Sequence, residues 1–144
     1  MNFNIREANL TDFNSIYLLL RQLWPKLDLN YEQLEQIYRT AVDSDRQWLI
    51  VGESENQIIG FCSLNIKNNL WQAGSLGHID ELVIDEKQRG KGYGRALIRA
   101  ITEIARKNGC KRIELDSAFH RESAHDFYES LGFENRAYLF SKKL

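Results

Sequence analysis

The sequence predicts an α/β (α+β) fold, in which helices pack on both faces of a mixed sheet. Three observations support this prediction. Apolar residues recur at helical spacing in four segments, they alternate with polar residues in the segments between, and a glycine-rich turn joins one alternating segment to a helix. The resulting element order is β-α-α-β-β-β-α-β-α-β.

The first part of the chain predicts one strand and two helices. Phe3 and Ile5 alternate with polar residues, as in a strand. A helical stripe begins at Thr11 and ends at Pro25, because proline disfavours the helical conformation in the residue before it. Asn30 can cap the second helix. The apolar face of that helix comprises Leu34, Ile37, Tyr38 and Ala41.

A hairpin, a long strand and a third helix are predicted next. Trp48–Val51 and Ile58–Ile66 flank the polar turn Ser54–Gln57. Leu76–Ile84 is the following strand, and a helix runs from about Gly92 to Lys107.

The last part of the chain predicts a strand, a helix and a strand. Ile113 and Leu115 mark the first strand, and Gly132 ends the helix. The alternation through Tyr138 and Phe140 predicts the final strand. The apolar stripe of the helix comprises Ala124, Phe127, Tyr128 and Leu131.

The composition favours an ordinary soluble domain over a nucleic-acid-binding or membrane protein. The 144 residues carry 19 Lys and Arg against 20 Asp and Glu, whereas a nucleic-acid-binding domain usually has a basic surplus. No apolar run approaches the roughly 20 residues of a membrane span. A single proline and no low-complexity linker predict one domain, residues 1–144. Cys62 and Cys110 lie far apart, which indicates reduced thiols in a cytoplasmic protein.

The stretch from Leu82 to Leu97 predicts a phosphate-binding turn between a strand and a helix. Glycines allow the backbone to approach a ligand closely, and the first N–H groups of the helix favour an anion. The glycines are Gly90, Gly92 and Gly94, and the neighbouring cations are Arg89, Lys91 and Arg95. The spacing fits neither a Walker A loop nor the dinucleotide fingerprint, which requires glycine where Arg95 stands.

Two motifs together resemble GNAT acetyltransferases. Arg89-Gly90-Lys91-Gly92-Tyr93-Gly94 is similar to the R-x-x-G-x-G/A pyrophosphate motif of that family, and Ala124–Phe133 is similar to the A-x-x-F-Y-x-x-x-G-F segment of its last helix. Both motifs lie in register and the element order agrees, so the resemblance covers nearly the whole chain. It implies a mostly antiparallel central sheet.

The resemblance also implies an N-acetyltransferase that uses acetyl-CoA and acts on a primary amine. The acceptor would be a small molecule such as an aminoglycoside, a polyamine or an aminophosphonate. The alternatives are a protein or peptide amine, or a non-catalytic acetyl-CoA-binding module. The sequence does not reveal the oligomeric state, although exposed sheet edges and the resemblance are compatible with a homodimer. The implied coenzyme-binding residues are Leu82, Val83, Ile84, Arg89, Gly90, Lys91, Gly92, Tyr93, Gly94, Arg95, Arg121, Ala124, Phe127 and Tyr128.

One residue departs from the family pattern. Many members carry asparagine where this chain has Arg121. The His120-Arg121 variant is similar to a subgroup that contains aminoalkylphosphonate N-acetyltransferases. A contact normally made by the asparagine is therefore replaced or absent.

The chemistry needs an acid for the departing thiolate and a base for the amine. The resemblance implies that Tyr128 is the acid, although its helical position alone would favour a core residue. Asp80, His78 and Glu81 are the candidate bases. Strand geometry places His78, Asp80, Leu82 and Ile84 on one face and Ile79, Glu81 and Val83 on the other, though a bulge could turn Glu81 inward.

Four residues are candidates for contact with the acceptor. They are Trp24, Asp80, Asp116 and His120. A carboxylate such as Asp116 could hold a cationic amine, or could only cap a helix. The histidines and cysteines show no zinc-ligand spacing, so no metal site is predicted.

Overall fold

The computed structural model describes residues 2–144. Five strands form one sheet, in the order in which they occur along the chain. They are β1 (Asn4–Glu7), β2 (Gln47–Ser54), β3 (Gln57–Asn69), β4 (Gly74–Ile84) and β5 (Cys110–Leu115). β1 to β4 pair antiparallel and β5 runs parallel to β4. The predicted mixed, mostly antiparallel sheet is confirmed.

The helices cover both faces of this sheet, as predicted. They are α1 (Phe13–Leu23), α2 (Tyr31–Asp43), α3 (Tyr93–Lys107) and α4 (Glu122–Ser130). α1 and α2 pack against Val51 and Phe61, whereas α3 and α4 pack against the alternate residues Ile50 and Cys62. None of the helices formed by residues 2–144 is long and apolar enough to cross a membrane.

Local sequence signals explain where several elements begin and end. The Asn30 side chain accepts a hydrogen bond from the Gln33 N–H, which caps α2 as predicted. α1 ends at Leu23, two residues before Pro25. Glu55 and Asn56 both have positive φ, which allows the tight turn between β2 and β3.

The predicted final strand through Tyr138 and Phe140 is wrong. Residues 131–144 form neither helix nor strand, and Tyr138 and Phe140 are 75% and 91% exposed. Alternation alone does not make a strand, because a strand also needs hydrogen bonds to a neighbouring strand. In residues 2–144 no segment pairs with the outer edge of β5, so residues 138–140 do not extend the sheet. The observed order is therefore β-α-α-β-β-β-α-β-α.

Candidate active site

β4 and β5 diverge partway along their length. They pair from Ser75 opposite Cys110 to Ile79 opposite Leu115, and β4 then continues to Ile84 with only β3 as its partner. The edge of β4 from residue 80 to 84 therefore faces a gap. Backbone groups on such an edge can hydrogen-bond an extended ligand. The predicted coenzyme contacts of Leu82, Val83 and Ile84 lie along this edge.

A β-bulge changes which side chains of β4 share a face. Ser63 pairs with Glu81 but the next residue, Leu64, pairs with Ile79, so Asp80 is the extra residue. Ile79 consequently packs on the α3 side with Leu82 and Ile84, while Val83 packs on the α1 side. The predicted alternation across Asp80 is wrong, because it assumed a regular strand. His78 instead shares the α1 side with Val83 and Glu81.

His78 lies between two carboxylates. Its Nδ1 atom is 2.7 Å from Asp80 Oδ1, and its Nε2 atom is 3.5 Å from Asp116 Oδ1. The hydrogen bond to Asp80 raises the pKa of His78, burial lowers it in part, and the charges of Asp80 and Asp116 raise it further. Asp80 and Asp116, both predicted to contact the acceptor, thus meet the candidate base His78 at the point where β4 and β5 separate.

Glu81 has a different environment. Its carboxylate accepts a hydrogen bond from the Ser63 hydroxyl, 2.9 Å away, and the Glu81 N–H donates to the same hydroxyl oxygen. Burial raises the pKa of Glu81, and the bond from Ser63 lowers it in part. Glu81 thus keeps the same face as Val83 without help from the bulge, and its carboxyl binds Ser63 of β3 and not the His78 cluster.

Tyr128 lies on α4, on the α3 side of the sheet. It packs against the α3-side core and lies near Cys62, which pairs with Leu82 on β4. Burial raises the pKa of Tyr128, Cys62 raises it further, and the positive charge of Arg121 lowers it in part. Its hydroxyl makes no hydrogen bond with any residue in 2–144. The Tyr128 hydroxyl is thus protonated, and it is free to donate a hydrogen bond.

The glycine-rich turn has the backbone that a phosphate site requires. Gly90 and Gly92 have φ of +78° and +86°, and a Cβ at either would meet open space within 4 Å. Gly92 is the N-cap of α3, so the first N–H groups of that helix point at the same space. Arg89 Nε donates to the Ile84 carbonyl, and Lys91 Nζ donates to Gln88. The geometry fits a pyrophosphate.

Packing connects this turn to α4. The Tyr93 ring is buried and stacks on Phe3 at 4.3 Å, so its side chain belongs to the core and only its backbone lies at the turn. A Cβ on Gly94 would lie 3.5 Å from the Phe127 ring. Arg95 is exposed on α3. The small residue at 94 lets α4 approach the start of α3.

The remaining predicted residues lie around the end of α1 and the start of α4. Trp24 is the C-cap of α1, and Arg121 donates a hydrogen bond to the carbonyl of Leu23 beside it. Ala124 is half-buried in the first turn of α4. His120 is exposed, with no hydrogen bond or ion pair to any described residue.

Three polar residues at the site were not predicted. Ser63 holds Glu81, and Gln22 Oε1 accepts a bond from the Glu86 N–H, which ties α1 to the loop after β4. Ser117 Oγ is buried without a partner among residues 2–144. Ser63 and Gln22 act through contacts with distant segments, and no local sequence signal marks any of the three. The part of the chain that the structure describes contains no group of three His, Cys, Asp or Glu side chains suited to a metal ion.

Comparison with known proteins agrees with this geometry. Residues 13–133 match the Acetyltransferase (GNAT) family. The chain belongs to this family. As a GNAT acetyltransferase it is an acyltransferase of the N-acetyltransferase type, and the family resemblance seen in its two motifs is confirmed.

Several of its relatives are named for small amine substrates. The GNAT chain is 28% identical to an aminoalkylphosphonate N-acetyltransferase of Salmonella typhimurium, over 97% of this chain and 90% of that one. It is 42% identical to a glucosamine 6-phosphate N-acetyltransferase of Trypanosoma brucei brucei over 78 residues, which span 54% of this chain and 51% of the relative. The structure of glucosamine-6-phosphate N-acetyltransferase from Arabidopsis thaliana superposes with a TM-score of 0.83 at 26% identity, over 99% of both chains.

Proposed function

We propose that this enzyme transfers the acetyl group of acetyl-CoA to the primary amine of a small molecule. The observation that supports it best is the gap beside residues 80–84 of β4: the His78–Asp80 pair lies where the gap begins, and Tyr128 lies on the α3 side near Cys62, the partner of Leu82. An acid and a base on one cleft are what amine acetylation needs. We also propose that residues 1–144 act as one catalytic domain and that the enzyme is cytoplasmic, in keeping with its two free thiols.

The turn from Arg89 to Arg95 would hold the coenzyme pyrophosphate, and the free edge of β4 would pair with its extended arm. When bound, acetyl-CoA supplies the thioester carbonyl that the amine attacks. A backbone N–H of residues 82–84 would then stabilise the oxyanion. These roles use the open space at Gly90 and Gly92 and the unpaired edge of β4.

The His78–Asp80 pair would take the proton from the ammonium group of the acceptor. An alkylammonium has a pKa of about 10.4, so it must lose a proton before it attacks. The nitrogen would then bond to the acetyl carbon, and as the carbon–sulfur bond breaks Tyr128 would give its proton to the thiolate. The second proton lost by the nitrogen would restore the Tyr128 hydroxyl, which leaves the neutral amide and the thiol. Glu81 is the weaker candidate for the base, because its carboxyl is engaged by Ser63.

Two carboxylates make the proposed acceptor side of the cleft acidic. Asp80 and Asp116 are 37% and 50% exposed at the side chain, and both face His78. Carboxylates there attract an ammonium group. Aminoglycosides, polyamines and aminophosphonates all carry such a group, as does glucosamine 6-phosphate.

The test is acetyl-CoA-dependent thiol release with a panel of amines that contains these four classes, amino acids and short peptides. Release with a small amine, together with a product that gains one acetyl mass, supports the proposal. The matched control is the His78→Gln, Asp80→Asn double variant, which should bind acetyl-CoA but release little thiol. Release with peptides alone would contradict the small-molecule assignment.

We further propose that the enzyme is a homodimer in which the C-terminal segment of each copy lies on the other. Phe119, Tyr138 and Phe140 are 79%, 75% and 91% exposed, and the Phe119 and Tyr138 rings lie 6.2 Å apart. Three such rings expose on the order of 500 Å² per copy, the size of the largest apolar patch on a typical monomer, which is often functional. Two copies together approach the roughly 1,200 Å² of a stable interface.

A further inference from the structure

Arg121 joins two elements that are distant in the sequence. Its guanidinium donates a hydrogen bond of 2.8 Å to the Leu23 carbonyl, across 98 positions. Leu23 is the last residue of α1, where a carbonyl lacks an intrahelical partner and the helix dipole favours a cation. The same residue begins α4, since the Arg121 carbonyl accepts bonds from the Ala124 and His125 N–H groups.

The two elements carry different parts of the proposed site. The end of α1 continues into Trp24, on the acceptor side, and α4 carries Tyr128 two turns after Arg121. Residues seven apart lie on one face of a helix, which explains why the charge of Arg121 acts on Tyr128. The side chain makes no hydrogen bond with residues 89–95 of the phosphate turn.

We propose that Arg121 is a positioning residue. It fixes the end of α1, which forms the acceptor side of the proposed cleft, relative to Tyr128 of α4. This inference rests on the proposed function. It differs from the coenzyme contact that the sequence suggests for this position, because the guanidinium binds α1 and not the phosphate turn. Loss of the side chain should allow the two walls of the cleft to move apart, and should remove a positive charge beside the Tyr128 hydroxyl.

The experiment compares Arg121→Gln and Arg121→Lys with the wild type. Arg121→Gln should lower kcat/KM for the acceptor by about 10–100-fold, the usual scale for a misplaced reacting group, and leave the KM for acetyl-CoA within about twofold. Arg121→Lys keeps the charge and one donor, and should recover part of this loss. The matched control is Arg106→Gln, which removes an exposed arginine of α3 that pairs only with Glu103.

A second measurement does not require turnover. The ultraviolet titration of Tyr128 is obtained as the difference between each protein and its Tyr128→Phe counterpart. It should move to higher pH in Arg121→Gln, because a positive charge favours the phenolate, and it should return towards wild type in Arg121→Lys.

The outcomes separate the inference from the proposed function. A raised KM for acetyl-CoA with an unchanged acceptor KM would make Arg121 a coenzyme residue and overturn the inference. An unmoved Tyr128 titration would overturn it too, whichever acceptor is found. If no amine in the panel is acetylated, the proposed function fails, and the titration still decides whether Arg121 acts on Tyr128.

Discussion

The imidazole of His78 and the carboxylate of Asp80 form a hydrogen bond of 2.7 Å between residues two apart on β4. The bulge leaves Asp80 as the extra residue of the strand, and its carboxylate contacts the neighbouring ring. This contact makes the larger contribution to the raised pKa of His78. His78 therefore holds a proton more firmly than an isolated histidine does.

Asp80→Asn should lower the pKa of His78, because the carboxylate that stabilises the imidazolium is lost. The acidic limb of kcat/KM should move to lower pH with it. Proton NMR of the imidazole ring measures the pKa directly, and His78→Gln identifies the signal among the three histidines. Asp116→Asn is the control and should shift the pKa less, since Asp116 is 3.5 Å away. A larger shift with Asp116→Asn would contradict this assignment.

Tyr128→Phe should lower kcat by roughly 10²–10⁴-fold, the usual range for a lost acid–base group. Its affinity for acetyl-CoA should change little, because only the hydroxyl is removed. Single-turnover thiol release measures the chemical step. Because burial raises the pKa of Tyr128, the wild-type rate should show no basic limb from this group below about pH 10. Tyr31→Phe, which removes a hydroxyl that bonds Asn14 of α1, is the control.

Gly92→Val should abolish acetyl-CoA binding, since a side chain at this position would occupy the space proposed for the pyrophosphate. Gly109→Val is a matched control: Gly109 also has a positive φ, +78° against +86°, and a Cβ there also meets nothing within 4 Å. The two variants should be destabilised alike, and calorimetric titration should find a loss of binding only for Gly92→Val. Wild-type affinity in Gly92→Val would remove the coenzyme from this turn.

The features that the sequence predicted correctly depend on local chemistry. Asn30 caps α2 through its own side chain, and Gly92 adopts a positive φ that few other residues tolerate. The faces of β4 were predicted wrongly because the bulge depends on how β4 pairs with Ser63 of β3. Likewise, alternation through Tyr138 cannot show whether a neighbouring edge will accept the strand. The meeting of His78 with Asp116 joins two strands, and no spacing in the sequence reveals it.

Arg6→Met should destabilise the fold by about 2–3 kcal/mol at neutral pH, because Asp12 is then left without its cation in a buried position. Arg6 lowers the pKa of Asp12, so this stabilisation is present above the unfolded pKa near 3.9 and is lost as the pH falls through the lower folded value. Urea denaturation at pH 7 and at pH 2–3 should therefore show a difference between wild type and variant that shrinks in acid. Arg39→Met, which loses only an exposed pair with Glu35, should have little effect at either pH.

The exposed C-terminal segment makes the oligomeric state testable. Tyr138→Asp with Phe140→Asp places two charges on the aromatic patch, and a charge cannot be buried there without a partner. Sedimentation velocity at micromolar concentration should give twice the 16.8 kDa chain mass for the wild type and the single-chain mass for the variant. Leu18→Asp, at a 57% exposed position on α1, should remain dimeric. A monomeric wild type would show that the segment does not join two copies, and a dimeric double variant would place the interface elsewhere.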